Sequence, residues 1–178
     1  AMTQAVSTNY RQLEPSEVEA VAKECAEAWK DPSIPLKQYE LCVKGELERF
    51  RAGRPIAPFD ALIRCWKQIP WAAGYFPTVL DVGASSGYYR EVLKIAGIDC
   101  YYTGCDSSPA FQELAVRLAR QASLHFDLAD ACDLPYGADS FDVVLHSAVI
   151  MHIADYEKAI AEAARVARRF VIFNPTPI

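Results

Sequence analysis

The chain reads as an α/β protein, a doubly wound and mainly parallel sheet of strand order 3-2-1-4-5 behind an N-terminal helical cap. Three observations predict it. From Thr78 onward, short apolar runs alternate with segments of helical period, the pattern of strand–helix units joined by right-handed crossovers. The first run, Thr78 to Val82, is apolar on both sides of Asp81, as a strand covered by helices on two faces must be. The residues before it carry helical patterns alone. The chain therefore divides into a cap or lid region, 1–77, and a sheet domain, 78–178.

Each element has a local cause. Ser16 to Glu19 forms a capping box, and Val18, Val21, Ala22, Cys25 and Trp29 follow at helical spacing until Asp31-Pro32 stops the run. A second helix starts at Pro35, placing Leu36, Tyr39, Val43, Leu47 and Phe50 on one face before Gly53. A third, from about Pro58 to Ile69, repeats Phe59, Leu62, Ile63 and Trp66. Strands are expected near 78–82, 99–105, 123–127, 141–147 and 170–174, with helices near 87–96, 109–121 and 155–167. Gly97 ends the first crossover helix and Asp155 caps the last.

The turn after the first strand is the most informative segment. Gly83, Ala84, Ser85, Ser86 and Gly87 admit a ligand close to the backbone, and the following helix offers its N-terminal N–H groups and dipole. A dinucleotide loop reads G-x-G-x-x-G with its acid on the next strand, whereas this loop is G-x-x-x-G with a further carboxylate, Asp81, on the first. Asp106 lies at the end of the second strand, nineteen residues after Gly87, close to the spacing at which an acid meets a ribose diol.

Val79 to Gly87 resembles the first motif of class I S-adenosylmethionine-dependent methyltransferases, D/E-x-G-x-G-x-G, with Ser85 at the usual central glycine. A positive φ there would strain serine by roughly 1 kcal/mol. Leu128-Ala-Asp-Ala-Cys-Asp-Leu-Pro-Tyr136 and Ser140-Phe-Asp-Val-Val144 resemble the same family's third-strand exit and fourth strand. The resemblance implies a Rossmann-like domain whose cofactor is S-adenosyl-L-methionine, leaving S-adenosyl-L-homocysteine. It implies cofactor contacts from Asp81, Gly83, Ala84, Ser85, Gly87, Asp106 and Ser107, and adenine contacts from Asp130 and the Ala131 backbone. His146, at the end of strand four, is expected either as a proton acceptor or as backbone wall beside the methionine moiety. His152 matches a position where the family often carries histidine and is expected to order the loop or take a proton. Tyr10 is expected to close over the site. Asn174-Pro175 is a false lead, because the N-P-P-Y motif of amino-methylating DNA enzymes follows strand four.

Family members continue past strand five into a helix and an antiparallel pair, so the sheet domain reads as C-terminally truncated. Its bare fifth-strand edge is expected to give a homodimer with a second copy of the chain, a swapped element or poor solubility. A cofactor-binding domain without catalysis is the alternative reading, and an NAD-dependent oxidoreductase the third; loop spacing and the segment after strand three weigh against the third.

Composition narrows the partners. At 178 residues with 52% hydrophobic residues, there is material for one core. A net charge of −5 argues against a nucleic-acid substrate and for a small-molecule acceptor, since the one basic cluster, Arg165, Arg168 and Arg169, is short. No run is long enough for a membrane span and no signal-peptide core precedes it, so a cytoplasmic location is expected. The six cysteines lack metal-ligand spacing. They are expected to be reduced, buried small hydrophobes, with no metal site.

Overall fold

The computed structural model describes residues 14–119 and 125–174. Five strands, β1 (Thr78–Val82), β2 (Tyr101–Asp106), β3 (His125–Leu128), β4 (Phe141–Ser147) and β5 (Ala167–Asn174), form one sheet of order β3-β2-β1-β4-β5. All four pairings are parallel. Reversal of strand order beside β1 opens a crevice at the carboxyl ends of β1 and β4, where doubly wound folds bind ligands.

Side chains of the central strands alternate between two helical layers. Val79, Val143 and Leu145 pack with Val43, Leu47, Phe59, Leu62 and Trp66 from the cap. Leu80, Val82 and Val144 pack on the other face with Ala163 and Val166 of α7 (Tyr156–Val166). Leu62, Leu80 and Leu145 are wholly buried, each stabilising the fold by about 1.5–3 kcal/mol. The helix α5 (Tyr88–Ile95) covers the first face with Tyr89, Val92 and Leu93, while α6 (Pro109–Ala119) supplies Ala115 against Phe126. Gly104 in β2 has no room for a side chain, since a Cβ would lie 2.8 Å from the Phe126 ring.

The cap differs from expectation in its middle. The single helix expected from Pro35 to Gly53 is α2 (Ile34–Gln38), a π-helical segment at Tyr39–Val43, and α3 (Lys44–Arg51). In the wide turn the Lys44 N–H reaches the Tyr39 carbonyl, adding one residue to the repeat and rotating what precedes it. Val43 and Leu47 stay buried, but Leu36, expected on the same face, is 46% exposed. The flanking α1 (Pro15–Ala28) and α4 (Ala57–Lys67) lie close to their expected bounds.

β5 begins at Ala167, earlier than its apolar run, because Arg168 and Arg169 belong to it. Arg168 donates to Asp142 at 3.2 Å, and the Arg169 guanidinium lies 5.0 Å from the Trp71 ring centroid. Arg165 donates to Glu162 and to the carbonyls of Tyr136 and Leu134. The basic cluster is thus tied into the fold. Two cysteines depart from the expected burial: Cys42 and Cys65 are exposed free thiols. Asn174 Nδ2 donates to the Pro58 carbonyl at 3.0 Å and to the Tyr89 hydroxyl at 3.3 Å, which makes it a clamp between β5 and the cap.

Candidate active site

At the carboxyl ends of the strands lies a cavity of about 600 Å³, walled by Gly83, Ser85, Asp106, Ser107, Asp130, Ala131, Ser147, Val149 and His152. The cap closes its other side with Glu19, Lys23, Trp29, Lys30 and Gln38. Six expected cofactor residues and one of the two expected histidines therefore meet at one cavity.

The loop after β1 is built around two backbone demands. Gly83 has φ +68°, and a Cβ there would come within 2.3 Å of Val149 Cγ2. Position 85 takes φ +53°, so the strain expected of a serine there is present. Two bonds offset it: the Ser85 N–H donates to Asp106 Oδ2 at 3.0 Å, and the hydroxyl donates to Gln38 Oε1 at 2.7 Å. A charge-assisted bond contributes about 1.5–3 kcal/mol and a neutral one about 0.5–1.5 kcal/mol, enough to hold a left-handed serine that costs roughly 1 kcal/mol. Ala84 is buried beneath the loop, and Gly87, at φ +71°, leads into α5.

Asp106 has a second duty, capping the helix that follows, for which its position made it a candidate beside Ser107 and Ser108. Its Oδ1 accepts from the Ser108 N–H at 3.0 Å, so the carboxylate, and not a serine hydroxyl, ties down the start of α6. Burial raises its pKa, opposed by bonds from the Ser108 and Ser85 backbone. An ionised carboxylate offers about four lone-pair sites. With the Ser85, Ser108 and Ser107 N–H groups turned towards it, the remaining capacity is open to a ligand hydroxyl.

Asp81 lies under the loop, wholly buried and outside the cavity wall. Tyr102 donates its hydroxyl to Oδ2, while Oδ1 has no hydrogen-bond partner. Burial pushes its pKa up to about 7, although the Tyr102 bond works the other way. The hydroxyls of Ser86, Ser108 and Ser147 are likewise buried without partners. Such a concentration of unpaired polar atoms at one end of a sheet fits a polar ligand that donates and accepts.

Asp130 Oδ1 accepts from the Cys132 N–H at 2.8 Å, an Asx turn that leaves its second oxygen for a ligand donor. His152 is exposed on the cavity wall, packs edge-on to Trp29 at 5.0 Å between ring centroids, and has its pKa lowered by partial desolvation. His146 is wholly buried, both its ring nitrogens lack partners, and it is not among the residues walling the cavity, which leaves its ring without access to an acceptor. Its ring lies 5.4 Å from that of Phe173, and burial pushes its pKa down to about 4, which makes it a neutral core imidazole. His125 is on exposed β3 beside Asp127. Tyr10 falls outside the described residues.

Sequence reasoning passed over Gln38, Ser147 and Val149. Gln38 sits within a helical pattern and carries no motif. Val149 follows Ala148, a non-glycine residue at φ +56° whose N–H donates to the Asn174 carbonyl; its only signal was adjacency to strand four. Among the described residues no cluster of His, Cys, Asp and Glu could hold a metal ion.

A glycine-poor turn pinned to an acid at the end of the second strand, with a carboxylate buried on the first, defines a Rossmann-like cofactor-binding domain. Residues 80–172 match the family described as "Methyltransferase domain", and the chain belongs to this family, the class I S-adenosylmethionine-dependent methyltransferases. It is 38% identical to the ajmaline N-methyltransferase of Rauvolfia serpentina over 94 residues, 50% of this chain and 32% of that protein. It is 36% identical to the O-methyltransferase cnsE of Penicillium expansum, over 51% of this chain and 34% of the relative. The YcgJ protein of Bacillus subtilis superposes with a TM-score of 0.54 at 26% identity, over 64% of this chain and 49% of that one. The matched region thus spans about a third of the length of the curated relatives.

Proposed function

We propose that the chain binds S-adenosyl-L-methionine in this cavity and methylates a small-molecule acceptor, leaving S-adenosyl-L-homocysteine. The observation that carries the reading is convergence: Gly83, Ser85, Asp106, Ser107, Asp130 and Ala131, picked out by motif, all line one cavity. Asp106 would hold the ribose with its remaining acceptor capacity, Asp130 the adenine amine, and the Asp81 side of the loop the ammonium end. Glu19, Asp106, Asp130 and Asp155 outnumber Lys23 and Lys30 in the wall, which suits a cationic ligand.

Bound S-adenosylmethionine supplies a methyl group already activated by its sulfonium. The residues of the chain then have to align the acceptor and exclude water, a contribution of about 7–11 kcal/mol in well-oriented reactions. Trp29 and Phe111, 6.2 Å apart between centroids, exclude water on the cap side. Of the three histidines, His152 alone reaches the cavity, and a neutral imidazole there accepts the proton of a hydroxyl or ammonium acceptor. Enclosure by the cap and the net charge of −5 support a small acceptor over a nucleic acid. Incubation with methyl-labelled S-adenosylmethionine and panels of oxygen and nitrogen acceptors tests the reading: label should move to a small acceptor. Tight cofactor binding with no transfer to any acceptor would favour the non-catalytic alternative.

A further inference from the structure

The hydroxyl of Ser85 is accepted by a residue far back on the cap, and that bond spans the wall of the cavity. We propose that Gln38 is a positioning residue for the cofactor loop, a latch that makes a serine workable at a position built for glycine. The proposal rests on reading the cavity as the S-adenosylmethionine site.

Ser85 is gripped from two sides, its N–H by Asp106 and its hydroxyl by Gln38 Oε1 at 2.7 Å. Only the Gln38 contact comes from outside the sheet domain. Gln38 is half-buried, lines the same cavity as Ser85, and is the last residue of α2 before the π-helical turn Tyr39–Val43. Val43 at the end of the turn and Leu47 beyond it are locked in the core, so the extra residue sets the rotation of α2 and brings Gln38 to the loop. The same rotation leaves Leu36, expected on the buried face, 46% exposed. Apolar exposure of this kind is unfavourable, and π turns concentrate where a particular side chain must be aimed. Cap docking and loop geometry are in this way one event.

The test is a mutational cycle read by calorimetric titration with S-adenosylhomocysteine. Gln38→Ala and Ser85→Ala remove the same bond from opposite sides, and each should weaken binding by fivefold or more. Ser85→Gly relieves the backbone and needs no latch, so adding Gln38→Ala to it should cost less than a further twofold. A general packing role for Gln38 would give the same loss in both backgrounds, and that result overturns the proposal, as does unchanged affinity in Gln38→Ala. Should Gln38→Ala not fold, Ser85→Ala against Ser85→Gly decides: equal affinities overturn the latch. A wild-type chain that binds no S-adenosylhomocysteine overturns the reading of the cavity itself.

Discussion

Asp81 shows how one buried carboxyl can carry both a stability effect and a binding role. Its pKa is raised to about 7 by burial, so between about pH 4 and 7 the folded state keeps a proton that the unfolded chain has released. Stability from this group therefore falls as pH rises through that window and stays low above it. His146 acts oppositely, since a buried imidazole with pKa near 4 disfavours the folded state below about pH 6.5. The clean measurement is thus a difference. Asp81→Asn should gain stability over wild type progressively from pH 4 to 7, by on the order of a few kcal/mol at pH 8, in thermal or urea melts. It should also bind S-adenosylhomocysteine more weakly. A parallel pH profile for the two proteins would contradict this. For His152, replacement by Gln should lower kcat by about a hundredfold or more with an acceptor that must lose a proton, with the KM for the cofactor little changed; His146→Gln should affect stability before rate. The histidines also mark what sequence could show. Both lay near the end of strand four, but that strand is covered on both faces, which buries His146, and only the turn at 150–152 swung His152 into the cavity.

Among the elements, β1 and β4 are joined at their amino ends by Asp142. Its Oδ2 accepts from the Thr78 N–H at 2.9 Å, the Thr78 hydroxyl at 3.1 Å and the Tyr75 hydroxyl at 2.8 Å, and its Oδ1 from Arg168. Burial works against ionisation, yet these donors hold its pKa below the usual carboxylate range. Its stabilisation is present above about pH 4 and lost as pH falls below that. Asp142→Ala should cost about 3 kcal/mol, seen as a lower urea midpoint at unchanged slope, while leaving cofactor affinity within twofold once folded. The strands were legible in the sequence because their interiors are continuous apolar runs bounded by turn residues. The start of β5 was not, because Arg168 and Arg169 interrupt the run and find partners across the sheet and on Trp71. The π turn was illegible for a different reason: inserting one residue into a helix leaves composition and propensity unchanged, and only the exposure of Leu36 betrays it.

Across the whole molecule, the cap and the sheet domain share one core and one cavity, so the division at residue 77 is a change of secondary structure more than a boundary in packing. Among the described residues, β5 pairs with β4 alone and Phe173 is 42% exposed. We propose that this edge pairs with a second copy of the chain; light scattering should then give twice the monomer mass at high concentration, and a monomer throughout would remove the proposal. No helix among the described residues is long and apolar enough to cross a membrane. The fold, the cap and the cofactor wall could be read from the helical patterns before residue 78 and the order of Asp81, Asp106 and Asp130, whereas the cap residues that line the cavity could not, since Glu19, Lys23 and Gln38 belong to it only through tertiary packing. What that cavity holds decides the function. Calorimetric titration with S-adenosylhomocysteine tests it most directly: wild type should bind one equivalent saturably, and Asp106→Ala, which loses both the diol acceptor and the bond to Ser85, should bind at least tenfold more weakly while remaining folded. No binding of S-adenosylhomocysteine, or an affinity unchanged in Asp106→Ala, would contradict it.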